Sequence, residues 1–173
     1  VNACFTLEVT LRRRVAAGYE VSVRSSTSVD PAHAYSLLTT GSSWPDWSPV
    51  TSFRLESPGV LEAEGPFAIR VFGIRLAGIP VVCRQRIVET VPGRAFRYAL
   101  AAGLPMRDYQ GNVDLDPADD GARIHWHSTF RPLIPGSGAV CALLLERFIQ
   151  RCVAGLARHA APARPAASDA MPG

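Results

Sequence analysis

Apolar and polar residues alternate with a period of two from Tyr19 to Val29 and again, with interruptions, from Val50 to Arg131. Period two puts successive side chains on opposite faces of an extended chain, so both stretches read as strand. In the first, Tyr19, Val21 and Val23 share a face. Asp30-Pro31 then opens a helix. The Asp side chain accepts from the unpaired N–H groups of the first turn, and proline fits the first helical position. That helix carries Ala34, Tyr35, Leu37 and Leu38 and stops at Gly41. A second short helix or turn holds Trp44-Pro45-Asp46-Trp47-Ser48-Pro49.

Turn residues at 57–59, 73–80, 92–93, 103–105 and 116–121 cut the long alternating region into strands near 51–57, 64–74, 80–91, 94–102, 107–116 and 121–131. Connections this short require antiparallel neighbours, since parallel ones need a crossover of a dozen residues or more. Beyond Pro132–Gly138 the period becomes helical from residue 139 to 160. Leu144, Leu145, Phe148, Cys152 and Leu156 form the apolar face of that helix, and Glu146, Arg147, Gln150, Arg151 and Arg158 the wet one. The element order predicts an α+β fold of helix-grip type. A bent antiparallel sheet of about seven strands wraps around a long C-terminal helix, and two short helices follow the first strand.

Composition narrows the function classes. The chain has 173 residues, 47% of them hydrophobic and 19% charged, which suits one domain with a real core and excludes wholesale disorder. No apolar run reaches the roughly 18 residues of a membrane span, so no integral membrane segment is expected. All 18 basic residues are Arg, and the one dense cluster is Arg12-Arg13-Arg14. A net charge of +3 is too mild to imply nucleic acid as a partner. Cys4, Cys83, Cys141 and Cys152 have no CxxC spacing, so zinc and redox motifs are unsupported. Free thiols and a cytoplasmic location are expected. Residues 1–18 read as a leader of uncertain order, with its basic residues after the apolar ones, the reverse of a secretory signal. Residues 161–173, rich in Ala and Pro, read as a disordered tail, which leaves 19–160 as the domain.

Ready-made chemistry is scarce. His125 and His127 share a strand face, but a metal needs a third ligand and the sequence points to none, so no metal is expected. Asp114, Asp116, Asp119 and Asp120 lack a calcium-loop pattern and read as a solvated turn. Neither a nucleophilic triad nor a Gly-rich phosphate loop can be built, and no cofactor is expected.

The faces are more informative. Ile124, Trp126, Ser128 and Phe130 point inward, against Arg123, His125, His127, Thr129 and Arg131. Phe96, Tyr98 and Leu100, then Tyr109, Gly111 and Val113, then Cys83, Gln85 and Ile87 are the other inward sets. Strand 64–74 stays open: Ala68, Arg70, Phe72 and Ile74 oppose Phe67, Ile69 and Val71, and plain hydrophobicity puts Arg70 outside.

Several pieces of text, in this order and spacing, resemble the polyketide cyclase/dehydrase and lipid-transport branch of the START-like, Bet v 1-like superfamily. They are Val29-Asp30-Pro31, the Trp44–Pro49 segment, Ala68-Ile69-Arg70-Val71-Phe72, Arg107-Asp108-Tyr109, Ile124-His125-Trp126, Phe130-Arg131-Pro132 and Pro135-Gly136. The resemblance covers residues 20–160. Gly65-Pro66-Phe67 departs from it, which can reshape the cavity rim. It implies an apolar cavity between sheet and long helix, with a hydrophobic small molecule such as a lipid or polyketide inside. The family includes cyclases, carriers and receptors, so it does not fix a reaction. A distant branch, the plant abscisic-acid receptors, implies that Arg70, Phe72 and Ile74 face inward. It also implies that Gly78-Ile79-Pro80 and Gly103-Leu104-Pro105 guard the mouth as gate loops.

The expected ligand site is then Arg70, Phe72, Gln85, Tyr98, Leu100, Tyr109, Trp126, Ser128, Phe130, Leu145, Phe148 and Cys152. In a cyclase or dehydrase, Tyr109 or Tyr98 would give a proton to an enolate or carbonyl oxygen and Arg70 would stabilise the developing charge. In a carrier the same groups orient a ligand. In a regulatory module the gate loops present a surface to a protein partner. A monomer or weak homodimer is expected.

Overall fold

The computed structural model describes residues 5–16, 18–76 and 78–159. The tail expected at 161–173, and Cys4, lie outside the described residues. The strands are β1 (Phe5–Val15), β2 (Gly18–Thr27), β3 (Val50–Ser57), β4 (Ile69–Leu76), β5 (Ile79–Val91), β6 (Ala95–Ala102), β7 (Met106–Ala118) and β8 (Gly121–Pro132). The helices are α1 (Pro31–Thr39), a 3-10 turn at Gly41–Ser43, α2 (Trp44–Trp47) and α3 (Gly138–His159).

One sheet holds all eight strands in the order β1-β2-β8-β7-β6-β5-β4-β3. The run β3 to β8 is the expected meander, and β2 closes it by pairing antiparallel with β8. Bulges at β3–β4, β5–β6 and β7–β8 interrupt the ladders. Each extra residue increases local twist, and together they curl the sheet around its helix. Asp30 caps α1 as expected, its Oδ1 accepting from Ala32 N at 2.8 Å and His33 N at 3.3 Å.

Two boundaries differ from the sequence reading. Within the stretch read as a leader, Phe5–Val15 forms an edge strand on β2. Thr10 accepts from Gln150 Nε2 at 3.1 Å, and Arg12 is ion-paired with Glu146, so α3 holds this strand as well. The strand expected at 64–74 starts only at Ile69. A turn bonded from Gly65 N to Glu62 O and from Ala68 N to Gly65 O precedes it, and Phe67 takes a left-handed φ of 72°.

The core lies between the concave sheet face and α3. Val21, Val23, Ile87, Phe96, Val113, Trp126 and Phe130 come from the sheet, and Cys141, Leu145, Ile149, Cys152 and Leu156 from α3. Trp44 closes one end. Its ring centroid is 5.1 Å from Phe72 and 4.7 Å from Trp47, and its Nε1 donates to Leu38 O at 3.1 Å. The bond satisfies the indole N–H that a buried Trp must place.

Candidate functional site

A cavity of about 80 Å³ lies between β4–β7, α2 and α3. Its walls are Trp44, Val50, Phe72, Ile74, Leu76, Cys83, Gln85, Tyr98, Leu100, Leu104, Pro105, Met106, Tyr109, Cys141, Leu144, Leu145 and Phe148. Period two on β4, β5 and β6 delivers Phe72 and Ile74, Cys83 and Gln85, and Tyr98 and Leu100 to this space. Helical spacing delivers Cys141, Leu144, Leu145 and Phe148 from the other side.

Seven of the residues expected at a ligand site therefore line it: Phe72, Gln85, Tyr98, Leu100, Tyr109, Leu145 and Phe148. Trp126, Ser128, Phe130 and Cys152 are buried but stand behind the wall. Of the loops expected as gates, Gly103-Leu104-Pro105 contributes Leu104 and Pro105. Gly78 in the β4–β5 turn and Ile79 and Pro80 at the start of β5 are exposed and contribute nothing to the wall. Trp44, Val50, Ile74, Leu76, Cys83, Met106, Cys141 and Leu144 complete it. Cys83 and Leu144 were legible as facing inward, and Ile74 through the resemblance; Val50, Leu76 and Met106 sit at strand ends, where alternation fades.

Arg70 requires a correction. It is inward and 0% exposed, yet it does not reach the cavity. Its Nη1 donates to Leu38 O at 3.1 Å, and its Nη2 donates to Thr39 O and to Glu64 O. Nε lies 2.9 Å from Glu64 Oε2 in an ion pair without hydrogen-bond alignment, and the guanidinium carbon lies 5.2 Å from the Phe96 ring centre. Leu38 and Thr39 end α1, whose last carbonyls have no helical partner and carry the negative end of the helix dipole. Arg70 therefore ties α1 to the sheet. Burial, opposed by Glu64, pulls its pKa down to about 10, which still leaves it charged at neutral pH.

The polar side of the cavity is a hydrogen-bonded chain. Trp126 Nε1 donates to Tyr98 Oη at 3.2 Å, Tyr98 Oη is 3.1 Å from Tyr109 Oη, and Tyr109 Oη is 3.2 Å from Ser128 Oγ. Burial pushes the Tyr109 phenol up to about 12, against the hydrogen bonds of Ser128 and Tyr98 that lower it. Burial, then the neighbouring Tyr109, holds Tyr98 well above the usual phenol value. Both stay protonated at neutral pH. Gln85 stands apart: its Oε1 is buried and finds no hydrogen-bond partner among the described residues.

Gly111 makes the chain possible. A Cβ there would fall 2.2 Å from Tyr98 Cζ and 2.6 Å from Tyr98 Oη, because the Tyr98 ring lies across the bare backbone of β7. Gly111→Ala is expected to cost about 1–3 kcal/mol by overpacking. The loss should be smaller in a Tyr98→Leu background, where no ring fills that space. A double-mutant cycle by urea unfolding measures the coupling, and additive losses would separate the two residues.

Comparison with known proteins agrees with this architecture. The family model described as polyketide cyclase / dehydrase and lipid transport matches residues 19–161. A START superfamily protein from Mycobacterium smegmatis superposes with a TM-score of 0.73 at 11% identity, covering 83% of this chain and 97% of that one. Ginseng major latex-like protein 151 from Panax ginseng gives 0.71 at 13% identity, covering 83% and 97%. The protein XoxI from Bacillus cereus gives 0.64 at 18% identity, covering 83% and 95%. At these identities the structural likeness is one of fold. No curated protein matches the chain. The family match spans most of the chain, including every strand and helix that lines the cavity, and the chain belongs to the polyketide cyclase/dehydrase and lipid transport family.

Proposed function

We propose that the protein binds one hydrophobic small molecule, lipid- or polyketide-like and bearing a hydroxyl group, in the cavity between the sheet and α3. The observation that carries this reading is the Gln85 amide oxygen, buried on an apolar wall with no partner. A buried acceptor left unmade costs about 1–3 kcal/mol. A ligand hydroxyl that donates to it recovers that cost, while the apolar walls supply affinity.

The cavity of about 80 Å³ is smaller than the roughly 300–1,000 Å³ of common ligand pockets. Entry of a larger molecule therefore requires the wall to move. Leu104 and Pro105, on the β6–β7 loop beside Gly103 at φ 104°, are the part of the wall that lies outside any strand or helix. Binding is favoured over turnover. A general acid works best with a pKa near the working pH, whereas both phenols are held far above it. Arg70 is committed to α1. Cys83, Cys141 and Cys152 are buried free thiols, in keeping with a cytoplasmic location.

Calorimetry with 4-butylphenol and butylbenzene tests the reading. The phenol is expected to bind about tenfold more tightly, the value of one buried hydrogen bond of about 1.4 kcal/mol. Gln85→Leu should erase the difference without weakening butylbenzene. Failure of both probes to bind would overturn the cavity as a ligand site. Equal binding of both to the native protein would overturn the role of Gln85 alone.

A further inference from the structure

A second cluster lies on the opposite face of the sheet. Asp114 of β7 stands across the ladder from His125 of β8, and His127 follows two residues on, so the three side chains share the face turned away from α3. One ligating atom from each lies within 4.8 Å of the other two. The imidazole centroids are 5.1 Å apart and tilted by 32°. All three residues are half-buried.

Two further observations show that the rings are set rather than free. Ser22 of β2 bonds to His125 Nε2 at 2.9 Å. A partner on one ring nitrogen fixes orientation and tautomer and leaves the other nitrogen for a ligand, the usual support for metal-binding histidines. His127 Nδ1 is buried and has no hydrogen-bond partner among the described residues. Buried ring nitrogens are nearly always occupied.

We infer that Asp114, His125 and His127 form a binding site for a divalent transition-metal cation of the zinc class. The inference is independent of the cavity. Two imidazoles and one carboxylate suit zinc, cobalt or nickel, and disfavour calcium and magnesium, which take oxygen ligands. Bonds of about 2.0–2.1 Å in a tetrahedron place ligand atoms about 3.3 Å apart. Side-chain torsions have to close the present spacing of up to 4.8 Å.

The neighbouring charges limit affinity. Arg97 donates to Asp114 Oδ1 at 3.0 Å, and also to Glu89 and Asn112. Arg24 stands opposite His125 in the β2–β8 ladder. A carboxylate has two oxygens, so Arg97 and a metal can share Asp114. The competition predicts micromolar binding, weaker than that of a structural zinc centre.

The test is calorimetric titration of the untagged, chelator-stripped full chain with Zn²⁺, paired with visible spectroscopy of the Co²⁺ form. One equivalent is expected to bind. His127→Ala and Asp114→Ala should each weaken it at least tenfold. Arg97→Gln should tighten it, a change that misfolding cannot imitate. Co²⁺ should show the bands of a low-coordinate nitrogen–oxygen site with no thiolate charge transfer. Absence of Zn²⁺ binding at 100 μM, a thiolate band, or unchanged affinity in the His125→Ala/His127→Ala variant would each overturn the site.

Discussion

Replacing Arg70 with Met is expected to lower folding stability by about 3–5 kcal/mol while leaving the affinity of the cavity for apolar probes unchanged. The magnitude is that of removing one member of a buried charge network. A buried ion pair replaced as a whole by apolar groups is often neutral or stabilising, so what stays behind decides the sign. Met keeps most of the stem volume but supplies no donor. Thr39 O and Glu64 O each lose a bond, and Leu38 O keeps only its bond from Trp44 Nε1. The Glu64 carboxylate is partly exposed to water and keeps its bond from Gly41 N; the carbonyls at the end of α1 are anchored and cannot turn to water. The midpoint of urea unfolding should fall with no change in slope. Binding of 4-butylphenol should persist below the new melting temperature. A stable variant that no longer binds the phenol would make Arg70 a cavity group and would overturn its assignment as a tie between α1 and β4.

The parts of the molecule that sequence pattern could reach are those where one face is covered and the other wet. In β5, Cys83, Gln85 and Ile87 are buried while Arg84, Arg86 and Val88 are exposed, and in β8 Ile124, Trp126, Ser128 and Phe130 are buried while His125, His127 and Thr129 between them are half-buried. Alternation works there because water and core impose opposite chemistry on successive residues. It fails at β1, an edge strand whose Leu7 and Leu11 are exposed beside Arg12, Arg13 and Arg14. Charge on an edge prevents further pairing, and what holds this strand is its ladder with β2 and its contacts with Gln150 and Glu146 on α3. Those partners are far away in sequence.

The same distance explains Arg70. Its inward direction could be taken from resemblance, but its partners at Leu38 and Thr39 are 32 and 31 residues earlier and are backbone carbonyls, which no side-chain pattern marks. The Asp114, His125 and His127 cluster has the same origin. His125 and His127 were legible as a pair, whereas Asp114 joins them only through the register of β7 on β8.

Gly155→Ala is expected to destabilise the protein by about 1–3 kcal/mol, although helix propensity alone predicts a gain of about 1 kcal/mol. Gly155 lies within α3 and is buried. A Cβ there would stand 1.6 Å from Trp47 O and 2.8 Å from Trp47 C. Both are main-chain atoms at the end of α2, so no rotamer change makes room. Relief requires α3 to back away from α2, and that would also loosen Leu156 and Cys152 in the core. It would displace Trp47, whose Nε1 bonds to Ser43 Oγ and whose ring packs on Trp44 at the cavity wall. The neighbouring Ala154→Gly, at a half-buried helical site, gives the propensity scale for this helix: a loss of about 1 kcal/mol. Thermal or urea unfolding of the two variants therefore separates packing from propensity by sign. Destabilisation by both places the α2–α3 contact at Gly155. A stabilised Gly155→Ala would mean that α3 does not approach the Trp47 carbonyl, and that this end of the cavity is less closely sealed than the fold shows.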